Sequence, residues 1–389
     1  MRLRGRSIVC VGFADWEAEL WTNQQHLMSR LAATNQILFV ESLGLRRPNL
    51  QGRDLRRIVA RLRRGLDSPR SVDQLHVLSP LVLPFHRFGW VRRLNSRLLP
   101  RLVSRAARRL TLRDPILWAY VPQAETLIDA LAPSLVVYHC VDDIAAQKGI
   151  DAESFRAAER RFAARADLVL ASSSTLANRM RTLSDNVVEV PNVADTRLFA
   201  RALEPGPVDA AVDGLPRPRI GFTGAVVATK LDVDLLVELA RLRPEWSFPL
   251  VGPVGPGDPR TDVSALRDLP NVHLLGARAY RELPAVLRGV DAALIPYARN
   301  ELTASIFPMK VYEYLSAGLP VVATPLPALA GMTEIAFASD AAGTAEQIER
   351  ELADDGPARR AERSYRAAEH SWDTRLDEIG RAVAATEAR

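Results

Sequence analysis

The sequence contains little cysteine and has no long apolar run. Its 389 residues include two cysteines, Cys10 and Cys140, which both fall in predicted buried strands, so neither a disulfide framework nor a metal site is expected. No run of about 18 apolar residues occurs, so no transmembrane helix is predicted. The basic first residues precede an apolar run that is too short for a signal peptide and is more typical of a strand. We therefore expect a soluble, cytoplasmic protein.

Lysine is nearly absent from a chain that is otherwise rich in basic residues. Of 51 basic side chains only three are lysine, namely Lys148, Lys230 and Lys310. Arginine cannot replace a compact ammonium group on a flexible stem, so the remaining lysines are candidates for positions that need one. The alternative is that three lysines remain by chance.

Acidic residues are scarce between residues 46 and 113. This region holds 18 Arg against 3 Asp, a net charge of +15, whereas the whole chain carries +5. A region this basic is expected to meet a polyanion or an anionic membrane surface. It lacks interleaved aromatic residues and any recognised nucleic-acid motif, so nucleic acid is not an expected partner.

The same basic region contains a predicted amphipathic helix. Residues 80–90 are apolar and aromatic, and residues 91–110 carry arginine at short intervals among leucines. This pattern is typical of a helix that lies on a membrane surface. It is equally consistent with an ordinary surface helix whose arginine stems cover the core.

The order of the predicted elements indicates an α/β fold with two domains. A chain of 389 residues is long for one domain, and strands that alternate with helices imply parallel sheets. The Pro- and Gly-rich interval 204–218 marks the boundary. We predict a first domain over residues 1–203 with the basic insertion at 46–113, a second over 204–370, and a last helix at 371–389 that packs back on the first domain. Strands are predicted at 7–13, 37–40, 115–120, 135–141, 167–171, 187–190, 219–224, 248–251, 272–275, 292–295 and 321–323.

Polar residues follow the first predicted strand, at the end where ligands bind in parallel sheets. Asp15 and Trp16 come after this strand, and Gln25 and His26 lie on the helix predicted at 21–34. We expect Asp15, Trp16 and His26 on the acceptor side of a cleft. For His26, a packed or capping role is the more common alternative.

A second polar cluster ends the strand predicted at 135–141. His139 and Asp142 could act on hydroxyl groups or on an oxocarbenium-like centre, and both are candidate catalytic residues. The alternative is that His139 is packed in the core and that Asp143 caps the next helix.

A glycine turn follows the strand predicted at 219–224. Gly224 would let backbone N–H groups approach a phosphate, and Lys230 precedes the next predicted helix. Such a turn is weak evidence alone, but Lys310 would supply a second cation from another loop. We therefore expect Gly224, Lys230 and Lys310 to bind one diphosphate, with both lysines acting in catalysis.

The most informative stretch runs from residue 300 to residue 324. Pro308 suits the first position of a helix, and Gly318 suits its left-handed cap. Lys310 and Glu313 are three residues apart and therefore share one face of that helix. A lysine at a helix start suits a diphosphate, and a carboxylate one turn later can accept hydrogen bonds from a sugar diol. The pattern predicts a site for a nucleoside diphosphate.

The motif Pro-Met-Lys-x-x-Glu-Tyr-Leu-x-Ala-Gly-x-Pro-Val-Val-Ala at residues 308–323 resembles the donor-binding helix of a known enzyme family. This is the retaining GT-B glycosyltransferases of glycosyltransferase family 4, in the type that acts in cell-surface polysaccharide assembly. The resemblance implies two Rossmann-like domains that face an interdomain cleft.

The resemblance also implies roles for individual residues. Glu313 would hold the ribose hydroxyls, Lys310 the diphosphate, and the stretch containing Arg278 the base. Ser305 stands where the family usually carries a glutamate near the donor sugar, and Glu301 is the nearest carboxylate upstream.

The reaction implied by the resemblance is sugar transfer with retention. The donor would be a nucleotide-sugar, most commonly a UDP-sugar, with GDP and dTDP as open alternatives, and the acceptor a glycan or a lipid-linked glycan. Because the cluster at 138–143 contains no Asp-x-Asp motif, we expect no catalytic metal and no cofactor besides the donor substrate. Lipid-linked acceptors in this family favour the membrane interpretation of residues 46–113, and a peripheral location on the inner face of the cell membrane.

Two alternatives remain from other functional classes. The same fold hosts sugar-nucleotide epimerases, although these need no acceptor lobe and the basic insertion argues against them. A catalytically inactive relative could serve as a binding or scaffold subunit, and Ser305 in place of the usual glutamate suggests this.

Overall fold

The computed structural model describes residues 2–18, 20–41, 69–80, 89–147, 149–256, 258 and 261–389. Most of the first half of the basic insertion, including residues 46–68, therefore lies outside the described residues, as do the apolar residues 81–88 and Lys148. The chain forms two compact units. The first is Met1–Pro191 with Leu376–Arg389, and the second is Asn192–Arg375.

The described residues of the first unit form an eight-stranded sheet in the order β3-β4-β2-β1-β5-β6-β7-β8. Only β3 and β4 pair antiparallel; every other pair is parallel, as the alternation of strands and helices predicted. The sequence analysis missed β3 and β4, which lie inside the basic region and are joined by a tight turn with Asp73 at φ 49°. The strands are β1 (Ser7–Val11), β2 (Gln36–Val40), β3 (Arg70–Val72), β4 (Leu75–Leu78), β5 (Ile116–Ala119), β6 (Leu135–Cys140), β7 (Leu168–Ala171) and β8 (Val187–Glu189).

The second unit contains a six-stranded parallel sheet in the order β11-β10-β9-β12-β13-β14. Its inner strands are apolar and buried on both faces, as expected where helices cover a parallel sheet. The sequence analysis missed only the two-residue edge strand β14. The strands are β9 (Ile220–Thr223), β10 (Phe248–Val251), β11 (Val272–Leu274), β12 (Ala292–Ile295), β13 (Val321–Ala323) and β14 (Ala336–Phe337).

The helices begin and end at recognisable local signals. In α1, Thr22 and Gln25 form the capping box that closes the first turn. After α12, Gly318 has φ +76°, which confirms the predicted left-handed cap. The helices are α1 (Asn23–Ala32), α2 (Gly89–Arg109), α3 (Glu125–Leu131), α4 (Ala152–Ala163), α5 (Ser174–Arg181), α6 (Thr196–Ala200), α7 (Ala210–Asp213), α8 (Val233–Leu242), α9 (Ser264–Arg267), α10 (Leu283–Arg288), α11 (Glu301–Ala304), α12 (Lys310–Ser316), α13 (Ala341–Ala353), α14 (Pro357–Ala367) and α15 (Trp372–Glu387).

No described helix is both long enough and apolar enough to cross a bilayer. The buried side chains of each unit form a separate hydrophobic cluster around its own sheet. The parallel sheets bring the carboxyl ends of neighbouring strands to one edge in each unit, and Asp15, Asp142, Gly224 and Lys230 lie in the loops that leave those edges.

Candidate functional site

Helix α12 is anchored to the carboxyl end of β9 by a buried tyrosine. The Tyr314 hydroxyl accepts a hydrogen bond from the Thr223 N–H at 2.8 Å and donates to the Thr223 carbonyl at 3.3 Å. Burial raises the pKa of Tyr314, so its hydroxyl keeps the proton that it donates. This anchor brings the first turn of α12 to the residue that follows β9.

That residue is Gly224, and Lys310 lies directly against it. A methyl group at Gly224 would sit 2.3 Å from Lys310 Cε and 3.2 Å from Nζ. Gly224 has φ +140°, a conformation that side-chain-bearing residues rarely adopt. The glycine therefore gives the lysine the room to lie across the end of β9.

A second glycine, Gly252, allows the loops after β9 and β10 to approach each other closely. A methyl group at Gly252, which follows β10, would lie 1.8 Å from the carbonyl oxygen of Gly224. The two loops that leave β9 and β10 thus touch through their backbones. Sequence analysis assigned no role to Gly252. The available signal was a glycine directly after the buried strand that neighbours β9.

Lys310 and Glu313 form the predicted pair on one helix face. Lys310 Nζ lies 3.3 Å from Glu313 Oε2, and their side chains are 20% and 4% exposed, respectively. The ammonium can therefore still reach a ligand, while the carboxylate is held beside it. Such a pair offers a cation for a phosphate and a nearby acceptor for hydroxyl groups.

The backbone of the glycine turn is partly used by the protein itself. The Gly224 N–H donates to the Val251 carbonyl at 2.8 Å, and the Val226 N–H donates to the Pro253 carbonyl at 2.9 Å. The N–H of Gly224 is therefore used to join the turn to β10, and the predicted contact between the N–H groups around Gly224 and a phosphate stays a prediction. Within the described part of the chain, the N–H of Ala225 has no such acceptor.

Lys230 lies in the loop between β9 and α8, half-buried. Its carbonyl accepts from the Ala298 N–H at 2.8 Å, and the neighbouring Thr229 carbonyl accepts from the Asn300 side chain at 3.1 Å. Its ammonium forms no ion pair with any other described residue. The loop carrying Lys230 is thus fixed to the loop that leads into α11, and its charge is available for a ligand.

Glu301 and Ser305 lie at the two ends of the short helix α11. The Asn300 side chain caps this helix by accepting from the Thr303 N–H at 3.0 Å. Glu301 is exposed in the first turn, whereas Ser305 is buried at the C-terminal cap. Their proposed contacts with the donor sugar stay predictions.

The Arg278 side chain is held by hydrogen bonds within the protein. Its guanidinium donates to Asp209 at 2.7 Å and to the carbonyl of Leu275 at 2.9 Å. The Arg278 hydrogen bond lowers the pKa of Asp209 below its ordinary value. The side chain therefore shapes the loop after β11, and a base contact by this stretch would use the backbone, as the resemblance implies.

In the first unit, His139 and Asp142 differ in their exposure to solvent. His139 is fully buried in β6, stacked on Tyr120 with ring centroids 4.9 Å apart and edge-on to Trp118 at 5.9 Å. This position favours the packing role over the catalytic one. Asp142 is half-exposed after the strand, and its catalytic role stays a prediction.

Asp143 stands at the N-cap position of the following helical turn, but its side chain makes no capping hydrogen bond there. Its carboxylate pairs instead with Arg156 at 2.6 Å and Arg179 at 3.2 Å. Glu159, nearly buried, accepts from the Tyr138 hydroxyl at 2.7 Å and from Arg179 at 3.3 Å, and burial raises its pKa. This buried network fixes the segment that carries Asp142.

The three predicted acceptor-side residues differ in accessibility. Asp15 is exposed, and its carbonyl accepts from the Gln25 side chain at 3.1 Å. Trp16 is buried, with its ring 5.0 Å from that of Phe39. His26 is also buried, beside Arg30, whose guanidinium donates to the His26 carbonyl at 3.0 Å. Burial favours a packing role for Trp16 and His26. Asp15 is accessible to a ligand, and its acceptor-side role stays a prediction.

One known protein family matches part of the second unit. Residues 217–354 match the family model of glycosyl transferases group 1. The chain is 27% identical over 345 residues to the putative teichuronic acid biosynthesis glycosyltransferase TuaH of Bacillus subtilis, covering 83% of this chain and 82% of the relative.

Two solved structures share the complete fold. Sucrose-phosphate synthase from Thermosynechococcus elongatus aligns with a TM-score of 0.68 at 17% identity, covering 98% of this chain and 99% of that chain. HepE of Anabaena, solved in complex with UDP-glucose, aligns with a TM-score of 0.68 at 15% identity, covering 97% and 99%. The chain therefore has the two-domain α/β GT-B fold, and its residues 217–354 are similar to the glycosyl transferases group 1 family.

Proposed function

We propose that this protein is a glycosyltransferase that takes a sugar from a nucleotide-diphosphate donor bound in the second unit. The observation that carries the proposal is the position of Lys310, which lies against Gly224 at the end of β9 and beside the nearly buried Glu313. An ammonium at this position can meet a diphosphate, and the carboxylate one turn further along α12 can accept hydrogen bonds from ribose hydroxyls. The group 1 family match over residues 217–354 supports the same assignment.

In this proposal, the lysines stabilise the leaving group. As the glycosidic bond breaks, negative charge grows on the diphosphate, and cations already in place lower the barrier without reorganisation. Lys310 contacts this charge from α12, and Lys230 contacts it from the loop after β9. These two cations would carry the role without a metal. Transfer with retention is proposed from the resemblance of the α12 motif.

We further propose UDP as the carrier of the donor sugar. HepE, which shares the fold, was solved with UDP-glucose. The sequence resemblance also favours UDP over other carriers.

The carrier can be identified with a thermal-shift panel of UDP, GDP, dTDP and ADP, each also tested with its common sugars attached. A ligand that binds only the native state at 100 times its Kd stabilises by about 2.7 kcal/mol. We expect UDP and a UDP-sugar to raise the melting midpoint by several degrees and the other nucleotides to raise it less. A rise with another nucleotide alone would correct the carrier. No rise with any of them would contradict the donor site and favour the scaffold alternative.

The proposed acceptor is a glycan or a lipid-linked glycan, brought to the enzyme at an anionic membrane surface. Within the described part of the basic region, helix α2 is the surface that suits this role. Five of its arginines, here called the α2 arginine stripe, are exposed and form no ion pair with any described residue; they are Arg93, Arg97, Arg101, Arg105 and Arg108. The helix contains no acidic residue, whereas exposed arginines on α13 and α14 pair with acids of the same helices.

Apolar residues border the α2 arginine stripe. Leu94 is 38% exposed, and Leu98 and Leu102 are half-buried at four-residue spacing along the same helix. Guanidinium groups beside partly exposed leucines match a lipid surface, which offers both anionic headgroups and an apolar layer. A peripheral position on the inner face of the membrane follows from this proposal.

The membrane surface can be tested by vesicle sedimentation. Each basic residue near an anionic surface contributes about 1 kcal/mol, so replacing Arg93, Arg97 and Arg101 with glutamine should weaken binding to phosphatidylglycerol vesicles about 100-fold. The matched control replaces three exposed but paired arginines, Arg350, Arg359 and Arg366, and should bind like the parent protein. Equal binding by both variants, or equal binding of the parent to neutral vesicles, would rule out the α2 surface.

A further inference from the structure

A buried side chain from outside α12 holds the segment that leads into it. The Nδ2 of Asn192 donates to the carbonyl of Phe307 at 2.9 Å, and both groups are buried. Phe307 precedes Pro308, and the first hydrogen bond of the following turn goes to the Pro308 carbonyl instead. The Asn192 amide therefore satisfies a carbonyl that the helix does not use. The residue type alone favours only a turn at Asn192.

A stack of three rings holds the next turn. The ring of Phe307 stacks on Tyr312 at 5.5 Å with an interplanar angle of 22°. Tyr312 in turn stacks on His370 at 4.1 Å and 14°. Tyr312 lies between Lys310 and Glu313 along the helix, so a ring that fixes Tyr312 also fixes the direction of both neighbours.

The segments that carry Asn192 and His370 are bonded to each other. The N–H of Ala194 donates to the His370 carbonyl at 3.4 Å, and Ala194 and Ser371 form a parallel bridge. Two stretches that are far apart in sequence thus form one support for residues 307–312. Neither Asn192 nor His370 is part of the glycine turn that lies against Lys310.

We propose that Asn192 and His370 are positioning residues that set the placement of Lys310 and Glu313 for the donor. The inference rests on the proposed donor site and assigns these two residues to it for the first time. A ligand that must meet a cation and a carboxylate at once tolerates displacements of only about 0.5 Å. Loss of the amide would leave the buried Phe307 carbonyl unsatisfied and release this segment.

The test measures Kd for UDP and for UMP by calorimetry well below the melting midpoint. If Lys310 holds the diphosphate, the parent protein should prefer UDP, and Asn192→Ala should weaken UDP binding about tenfold while changing UMP binding less. The matched control is Asn271→Ala. Asn271 directly precedes β11, so it lies at the opposite end of this strand from the predicted base contact. Its Nδ2 donates to the carbonyls of Ala240 and Arg243. This control should lower stability but keep the UMP-to-UDP ratio of the parent.

The ring stack supplies a second and independent variant pair. His370→Ala should narrow the preference for UDP, whereas His370→Phe keeps a ring on Tyr312 and should restore it. This pair decides the matter if Asn192→Ala fails to fold. If the parent binds no nucleotide, the proposed function itself fails. If the parent prefers UDP and the His370 and Asn192 variants keep its ratio, the donor site stands and the positioning role is overturned.

Discussion

Replacement of Lys310 with alanine is expected to abolish measurable UDP binding while the protein stays folded. The change removes the ammonium that lies across Gly224, and it also leaves the Glu313 carboxylate, only 4% exposed, without its cationic partner. Truncating one partner of a charge pair that is buried in a complex costs 2–5 kcal/mol or more, which corresponds to roughly 30- to 4,000-fold in affinity. Calorimetry with UDP measures the loss.

Two further variants separate the contributions at this site. Glu313→Ala should also abolish binding, because the proposed acceptor for the ribose hydroxyls is removed. Arg350→Ala breaks an ion pair of comparable length, 2.8 Å, on the exposed face of α13 and should bind UDP like the parent. If Lys310→Ala and Glu313→Ala both bound every nucleotide as the parent does, the donor site would lie elsewhere.

Replacement of Gly252 with alanine is expected to have the largest effect on stability. The added methyl group would lie 1.8 Å from the Gly224 oxygen and 2.5 Å from its carbonyl carbon, and these backbone atoms cannot rotate away. Relief requires the ends of β9 and β10 to separate, which breaks the bonds from Gly224 to Val251 and from Val226 to Pro253. We expect a loss of more than about 4 kcal/mol in the free energy of unfolding.

Urea unfolding of the second unit measures this loss, and a third glycine provides the control. Gly331 has φ +86°, but a methyl group there would meet no atom within 4 Å. Gly331→Ala should therefore cost only the conformational strain, about 1–2 kcal/mol. Similar losses for the two variants would show that strain, and not the contact between the loops, sets the need for Gly252.

The parts of the site that were predictable from sequence depend on short-range rules. Lys310 and Glu313 share a face because they are three residues apart in a helix, and Gly318 ends that helix because it can adopt positive φ. Parallel strands place their carboxyl ends together, so the neighbourhood of Gly224 could be predicted once the strands were known.

The remaining features depend on partners that are distant in sequence. Asp209 fixes Arg278 across 69 residues, and Asn192 reaches Phe307 across 115. No local pattern specifies such pairs. His139 shows the same limit, because the rings that enclose it come from β5 and from the residue that follows it, so its burial follows from strand order and not from its own segment.

Strand length alone does not explain the missed strands. Strands β3, β4 and β14 have three, four and two residues, but β8, β11 and β13 have only three residues each and were predicted. Strands β3 and β4 lie within residues 46–113, where positive charge is the dominant sequence feature, and β4 extends the sheet beside β2.

The buried network around Asp143 limits how this part of the protein can change through evolution. Two carboxylates, of Asp143 and Glu159, face two guanidinium groups, of Arg156 and Arg179, and the four charges cancel. Loss of one member leaves an uncompensated charge in a nearly buried place, which costs several kcal/mol, whereas an apolar set of similar volume can be as stable. A lineage can therefore keep all four residues or exchange them in compensating steps, and the loop that carries Asp142 is inherited together with them.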